Sequence, residues 1–492
     1  MLYFSTRNEK NKVSAAEAIS RGLAPDGGLF VPETLPRLTL GDIKEIGKKD
    51  YRGRAFDIMK LFLDEFTDDE LRGMIAKAYS DNFDSADTAP VHFVDDKTAV
   101  LELWHGPTCA FKDMALQMLP HLLTASLKKC GEQRKVCILV ATSGDTGKAA
   151  LEGFADVENT KILVFYPHNG VSDVQKLQMI TQTGDNVSVA AVRGNFDDAQ
   201  TGVKKIFADK GFAEKLSENG WFLSSANSIN WGRLLPQIVY YFSAYCDFAN
   251  SGRVNYGDKV DFAVPTGNFG NILACWYAKN MGLPVGKLIC ASNQNNVLAD
   301  FFGNGVYDRN RTFYTTISPS MDILVSSNLE RLLYSVCKND AEVAGYMKEL
   351  SESGKYEVSD AIKSVIGDNF VGGYCSDADT KAVIGKVYAE NGYLMDTHTA
   401  VAFKKVLDYR AENAAVPTVV VSTASPYKFC DSVLEALGHE TAGSGTQLIE
   451  KLSDFTKTSV PKPLAGLDKR EKRFSLVTDK DDMEKVVAEF LL

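Results

Sequence analysis

Residues 135–166 read KVCILVATSGDTGKAALEGFADVENTKILVFY. KVCILVA, 135–141, is a continuous apolar run, SGDTG is a turn, a helical pattern runs from Lys148, and TKILVFY, 160–166, is a second apolar run. Strands that are apolar on both faces and alternate with amphipathic helices belong to a parallel sheet covered on both sides. The pattern recurs outward from this stretch. A helix is expected from Ser172, with Asp173 suited to its first turn, and then the strand VSVAAV, 187–192. NFDDAQTGVKKIFAD, 195–209, follows as a helix with Asn195 as its cap. KVDFAV, 259–264, leads through PTGNFGN into the helical ILACWYAKNMG, KLICA, 287–291, is the next strand, and PTVVVST, 417–423, comes late, after the helical TAVAFKKVLDYRAENA. The core is therefore α/β, with helices on both faces of its sheet.

The chain has 492 residues, 45% of them apolar and 24% charged, enough to bury a large core without disulfides or a structural metal. Residues 1 to about 95 differ in character: a charged helical pattern surrounds the turn APDGGLFVPETLP, and the acidic DNFDSADTAP, 81–90, reads as a linker. We therefore expect an N-terminal domain over 1–95 and a core over 96–430 with a smaller substrate-side subdomain at about 140–250. A C-terminal segment, 431–492, is expected to pack back on the core.

A net charge of −10 with both signs interspersed argues against nucleic acid, so any anionic ligand must be met by locally concentrated positive charge. The nine cysteines form no CxxC pair and are read as reduced, buried thiols, and the six histidines show no zinc-like spacing, so no metal is expected. The N-terminal MLYFSTRNEKNKVSAAEAI lacks a basic segment followed by an apolar one, and no apolar run reaches membrane-spanning length. The reading is of a cytoplasmic protein without a membrane role.

In open α/β sheets ligands bind beyond the carboxyl ends of the strands, and three loops there are unusual. In PTGNFGN, Gly267 and Gly270 let the backbone approach a phosphate at a helix N-terminus, although glycine in such a loop is as often a plain turn. It is not GxGxxG, so a dinucleotide site is disfavoured. TSGDTGK, 142–148, has the look of a P-loop but lacks its glycine spacing and the Ser/Thr after Lys148. In HGPTCAFKDMALQ the strand AVLELW ends at His105-Gly106-Pro107, and Lys112 falls in the first turn of the next helix. There the helix dipole repels a cation, and apolar neighbours push a lysine toward the neutral amine that condenses with carbonyls. A solvated surface lysine beside Asp113 is the plainer reading of Lys112 alone. A phosphate cradle together with such a lysine points instead to a Schiff-base pyridoxal phosphate enzyme.

HGPTCAFKDMALQ, ATSGDTGKAA, NSINWGR, PTGNFGN, SPSMDI, DTHTAVAF and STASPYKF, with DGGLFVPE near the N-terminus, resemble in sequence and order the motifs of the threonine synthase family. The resemblance covers most of the chain. It implies fold type II of the pyridoxal phosphate enzymes, the tryptophan-synthase-β-like fold with parallel or mixed sheets. It also implies a lyase of threonine biosynthesis that converts O-phospho-L-homoserine and water to L-threonine and phosphate by γ-elimination and β-addition. By motif, Lys112 would carry pyridoxal 5'-phosphate, and the backbone of Gly267, Asn268, Phe269, Gly270 and Asn271 would hold its phosphate. Asp145 would approach the ring hydroxyl and Thr423 the ring nitrogen. Ser143, Gly144 and Thr146 resemble the grip on the substrate carboxylate, and Asn227, Ser228 and Arg233 the site of the substrate phosphate, with Lys148 a weaker phosphate candidate. Many relatives have His and Ala where this chain has Ser425 and Tyr427, and proline where it has Thr397. His398 reads equally as an orienting group or as a buried histidine satisfied by backbone. Trp231, Tyr240, Tyr241 and Phe242 read as core. A fold type II serine/threonine dehydratase would share the lysine without needing NSINWGR, and a non-catalytic binding protein would not need Lys112. The partner is a small molecule, and the chain is taken as a monomer or homodimer.

Overall fold

The computed structural model describes residues 1–414 and 416–492. An N-terminal antiparallel sheet is built from β1 (Leu2–Ser5), β2 (Asn8–Ser14) and β3 (Phe30–Pro32). Then come β4 (Val91–Phe93), β5 (Thr98–Glu102), β6 (Lys135–Ala141), β7 (Thr160–Pro167), β8 (Val187–Arg193) and β9 (Trp221–Ser224). They are followed by β10 (Val260–Pro265), β11 (Val285–Ser292), the ribbon of β12 (Val306–Asp308) and β13 (Lys355–Glu357), β14 (Phe370–Tyr374), β15 (Thr418–Ser422) and β16 (Leu476–Asp479).

Two open sheets carry the core. The larger runs β14-β11-β10-β15-β5-β4, parallel except for the antiparallel edge pair β4–β5, and the smaller runs β16-β8-β7-β6-β9, parallel throughout. The Val/Ile/Leu runs of β6, β7, β10 and β15 are buried on both faces, as parallel strands between helical layers must be. The adjacency of β10, β15 and β5 decides the chemistry, because their carboxyl ends bring PTGNFGN, STASPYK and HGPTCAFK together.

The smaller sheet differs from the expected 140–250. Its strands begin at Lys135, and its edge strand β16 comes from the C-terminal segment and pairs with β8, while Met483, Val486, Val487 and Leu491 of the last helix cover one face. The helix Trp231–Asn250 leaves this unit to pack against the helix Gly270–Met281 and the N-terminal helix Tyr51–Lys60. The reason is its surface: this 20-residue helix is buried on nearly every side and needs apolar neighbours all round. Among the described residues, no helix is long and apolar enough to cross a membrane.

The N-terminal sheet is fastened to the core through charge. The buried Glu330 carboxylate accepts from Arg7 Nε at 2.8 Å and Nη2 at 2.7 Å, and Arg331 Nε donates to Phe30 O at 3.0 Å.

The helix Asp145–Phe154 presses Gly153 onto the carbonyl oxygen of Leu116, at the end of the short helix that follows Lys112. Helix propensity favours Gly153→Ala by up to about 1 kcal/mol, but a Cβ there runs into backbone that cannot rotate away, which costs roughly 1–3 kcal/mol. Gly153→Ala is therefore expected to lower the thermal unfolding midpoint, measured by circular dichroism, rather than raise it.

Candidate active site

Beyond β5 the chain passes Cys109, which takes a left-handed φ of 57°, and is stitched to the chain leaving β15. Phe111 N donates to Thr423 O at 2.8 Å and Ser425 N to Cys109 O at 3.1 Å, with an antiparallel bridge between Ala110 and Ala424. These bonds fix Lys112, the residue immediately before the helix Asp113–Leu116. Asp113 turns inward, accepting from Thr108 N at 2.8 Å and Thr108 Oγ1 at 2.6 Å, so it is no surface partner for Lys112. Burial raises the Asp113 carboxyl to about 6 against the pull of those hydrogen bonds.

The Lys112 side chain is 11% exposed, and its Nζ lies 3.4 Å from Ser320 Oγ and 3.9 Å from Asp145 Oδ2. Burial lowers its basicity from the ordinary 10.5 to about 8, with Asp145 opposing the shift and Lys428 and Arg233 adding to it. Asp145 is the first residue of its helix, which starts three residues earlier than the sequence pattern placed it. The start is set by Thr142 Oγ1, which accepts from Gly144 N at 3.0 Å and Gly147 N at 2.9 Å. Gly144, at φ 144°, has no room for a side chain because a Cβ would strike the Gln175 amide. Burial alone would raise the Asp145 carboxyl, but the Lys428 and Lys112 charges and hydrogen bonds from Lys428 and Gln175 hold it well below the usual carboxylate range. Ser143 is exposed and Thr146 half-buried at this helix start, whereas Lys148 turns away to pair with Glu152 at 2.7 Å and to bond Gln182.

The 265–271 loop ends in Phe269, held left-handed at φ 64° directly before the helix Gly270–Met281. The first N–H groups of such a helix have no intrahelical acceptor and carry its positive dipole end. Gly267 is required by its neighbour, since a Cβ there would lie 2.6 Å from Ser320 O, whereas a Cβ at Gly270 would meet nothing closer than Asn328 Nδ2 at 3.6 Å. Asn268 is exposed. The buried Asn271 accepts at Oδ1 from Tyr240 OH at 2.6 Å and Tyr241 OH at 2.7 Å, while its Nδ2 has no partner. The two core tyrosines thus also orient a loop side chain.

Arg233 sits in the first turn of the helix Trp231–Asn250, capped by Asn230 onto Gly232 N at 2.8 Å. It is 4% exposed; Nη1 donates to Ala226 O at 2.8 Å and Nε has no partner. Burial lowers it to about 10. Asn227 is exposed and Ser228 half-buried on the loop just before it. Asn328 joins that loop to the 265–271 loop: its Nδ2 donates to Asn268 O at 3.0 Å and to Ser228 O at 3.4 Å, and its Oδ1 accepts from Arg331 Nη1 at 2.7 Å.

The structure therefore brings Lys112, Asp145, Thr423, the 265–271 loop and Arg233 to one cleft, and leaves Lys148 outside it. Sequence reasoning missed Lys428, Gln175 and Ser320 as neighbours of that cleft. His398 is buried; its Nδ1 bonds Asp396 Oδ1 at 2.9 Å and its Nε2 accepts from Ser320 N at 3.2 Å, so it orients the turn that carries Ser320. Thr397 Oγ1 donates to Ile317 O at 2.7 Å on the same segment. Ser425 accepts from Tyr427 N at 3.3 Å and Tyr427 OH bonds Thr458, both structural. Lys428 and His398 lie inside quoted motifs, which was the available signal. Among the described residues, no group of three His, Cys, Asp or Glu could hold a metal.

A lysine of lowered basicity, 11% exposed, near the start of the helix Gly270–Met281 and at the carboxyl ends of two open sheets is the arrangement of a pyridoxal phosphate enzyme of fold type II. The family model for threonine synthase N terminus matches residues 2–79, that for pyridoxal-phosphate dependent enzyme 98–424, and that for threonine synthase, C-terminal, 399–488. The chain is 41% identical over 479 residues to threonine synthase of Pseudomonas aeruginosa, covering 97% of this chain and 96% of that one. The crystal structure of PLP-bound threonine synthase from Brucella melitensis superposes with a TM-score of 0.89 at 37% identity, covering 100% of this chain and 98% of that one. Human threonine synthase-like 1 is 42% identical over 459 residues, covering 89% of this chain, which spans 61% of that protein's length. The chain belongs to the threonine synthase family.

Asn328→Ala leaves Ser228 O and Arg331 Nη1 without their Asn328 side-chain partner, each worth about 1–3 kcal/mol when orphaned, while Asn268 O keeps the backbone N–H of residue 328. A lower midpoint in urea unfolding is expected, with a drop corresponding to at least about 2 kcal/mol.

Proposed function

We propose that this chain is a threonine synthase that uses pyridoxal 5'-phosphate to convert O-phospho-L-homoserine and water to L-threonine and phosphate. The observation that carries the reading is Arg233: a buried guanidinium, one nitrogen on a carbonyl and another without a partner, beside a loop distinct from the helix-start cradle at 267–271. Two anion sites suit a phosphorylated cofactor and a phosphorylated substrate. A dehydratase of unphosphorylated serine or threonine has use for one.

The residues fit the cofactor. Lys112 would bind its aldehyde carbon, the Gly267–Asn271 backbone its phosphate, Asp145 its ring hydroxyl and Thr423 its ring nitrogen. Asn271 Nδ2, buried and unpartnered, is a further donor on that cradle. Pyridoxal phosphate bound there supplies an electron sink for negative charge developing on the substrate carbons. Ser143, Gly144 and Thr146 would hold the substrate carboxylate at the start of the helix Asp145–Phe154. The Lys112 amine, near 8 in basicity, is suited to remove a proton at Cα, then one at Cβ, and to return one at Cα after water has added at Cβ. Arg233, with Asn227 and Ser228, would take up the charge of the phosphate leaving Cγ. Thr423 is uncharged, so it would leave the ring nitrogen less strongly protonated than an aspartate would. Ser143 and Asp145 belong to the smaller sheet's unit and Lys112, Thr423 and the cradle to the larger, so closure of one on the other would keep stray water from the site.

The partner is a small molecule rather than nucleic acid, with the chain acting as a monomer or homodimer. Among the described residues all nine cysteines are free, and seven are buried, which supports a cytoplasmic setting.

Borohydride reduction is expected to fix the cofactor on the peptide carrying Lys112; an adduct on Lys148 or Lys428 overturns the assignment. Arg233→Ala should lower phosphohomoserine turnover by roughly tenfold or more, since a lost charge-assisted bond costs about 1.5–3 kcal/mol. Cofactor occupancy and the spectral response to a small unphosphorylated amino acid should persist. Equal losses for both ligands would remove Arg233 from the substrate site. Phosphate release from O-phosphohomoserine, with threonine identified as product, tests the activity directly.

A further inference from the structure

Lys428 ends the short turn Pro426–Lys428 that follows β15, and its side chain is wholly buried. Its Nζ donates to Thr108 O at 2.9 Å and lies 2.6 Å from Asp145 Oδ1. It therefore links three loops: the one leading to Lys112, the one opening the helix Asp145–Phe154, and the one leaving β15. Because Asp145 follows a strand of the smaller sheet and Lys428 one of the larger, the pair spans the cleft.

The two oxygens of Asp145 are used differently. Oδ1 takes Lys428 and, at 2.8 Å, Gln175 Nε2, while Oδ2 faces Lys112 Nζ at 3.9 Å, beyond hydrogen-bond length. Asp145 is thus in close contact with the lysine that the reaction does not use. We propose that Lys428 is a positioning residue for Lys112: by engaging Asp145 it keeps that carboxylate from closing on the Lys112 amine, which stays available as nucleophile and base. This rests on Lys112 being the cofactor lysine and adds a second lysine to the same site.

A carboxylate brought into contact with an ammonium favours the charged form by about 1–3 pH units. For Lys112 that would undo the effect of burial. The other groups that act on Lys112 do not provide this control. Arg233, on the helix Trp231–Asn250, and Lys428 add positive charge that opposes protonation, and the Asp113 carboxylate is occupied by Thr108. From the turn Pro319–Met321 comes only the uncharged Ser320 hydroxyl, and from the preceding residue the Phe111 ring, 4.9 Å from Nζ. Around Lys428, the Cys109 thiol is pushed up by burial and stays neutral. A plain strut would explain the burial of Lys428, but beyond a loss of stability it predicts for Lys112 only the shift from one lost neighbouring charge, equal with and without the Asp145 carboxylate.

The test uses the full-length chain freed of cofactor. Trace acetic anhydride is applied between about pH 6 and pH 11, and mass spectrometry of the peptide carrying Lys112 gives the midpoint of its titration. The wild-type midpoint is expected near 8. Lys428→Met should raise it by about one unit or more, a roughly tenfold fall in reactivity at a fixed pH below the midpoint, and Lys428→Arg should restore it. In an Asp145→Asn background Lys428→Met should shift the midpoint much less, because the competing carboxylate is gone. An unchanged midpoint in folded Lys428→Met overturns the proposal. So does an equal shift in both backgrounds, which would reduce Lys428 to a second repelling cation. If Lys428→Met does not fold, Lys428→Gln, which keeps a donor toward Thr108 O, decides: it must raise the Lys112 midpoint more in the wild-type than in the Asp145→Asn background, and an absent or equal shift overturns the proposal. Borohydride mapping to another lysine would remove the functional reading while leaving this titration measurable, so the two failures are distinct.

Discussion

Positive charge held out of water is the constraint on which the rest of this structure depends. Lys428 and Arg233 are buried and Lys112 is 11% exposed, all near one another, and Asp145 is the carboxylate in close contact with Lys428. Taking an ammonium or guanidinium out of water without a partner is costly. Each group meets that cost in its own way. Lys428 is paired and hydrogen-bonded, Lys112 loses its proton more easily, and Arg233 rests on a backbone carbonyl with a donor to spare.

The scaffold makes that arrangement rigid by cross-linking the two chain segments that leave β5 and β15. Beyond the parallel register, which ends at Ser422 with Glu102, Cys109–Phe111 and Thr423–Ser425 are joined by a separate antiparallel bridge. Lys112 is therefore placed by backbone rather than by its own side-chain contacts. On the other side, Asn328 and the fully buried Arg331 tie the loop before Arg233 to the 265–271 loop and to Phe30 of the N-terminal sheet. The N-terminal region thus has a mechanical route to both loops.

Much of this was legible in the residues. The apolar runs at 135–141, 160–166 and 187–192 are strands, Ser172 and Asn195 cap helices, and Lys112 stands at a helix start. Each of those signals is local. What could not be read depends on contacts between distant segments. A lysine five residues beyond Thr423 looks like any surface lysine until Asp145, more than two hundred residues earlier, is brought against it. Gln175, Ser320 and Asn328 are of residue types that carry no signal of their own. Lys148 drew attention by its P-loop-like context, yet Glu152 one turn on and Gln182 satisfy it internally. The helix Trp231–Asn250 was grouped with its neighbours in sequence, although its all-round apolar surface gave grounds to place it at the centre of the larger unit.

The smaller sheet is finished by β16, whose Asp479 reaches back across 286 positions to Arg193 on β8. During synthesis from the N-terminus, β8 therefore waits with an unpaired edge until almost the whole chain has emerged. A closure this distant is entropically slow, and an open edge strand is a template for pairing with other chains. Half of the cleft thus becomes sound only when the last segment docks, which couples the timing of assembly in a cell to residues far from any ligand.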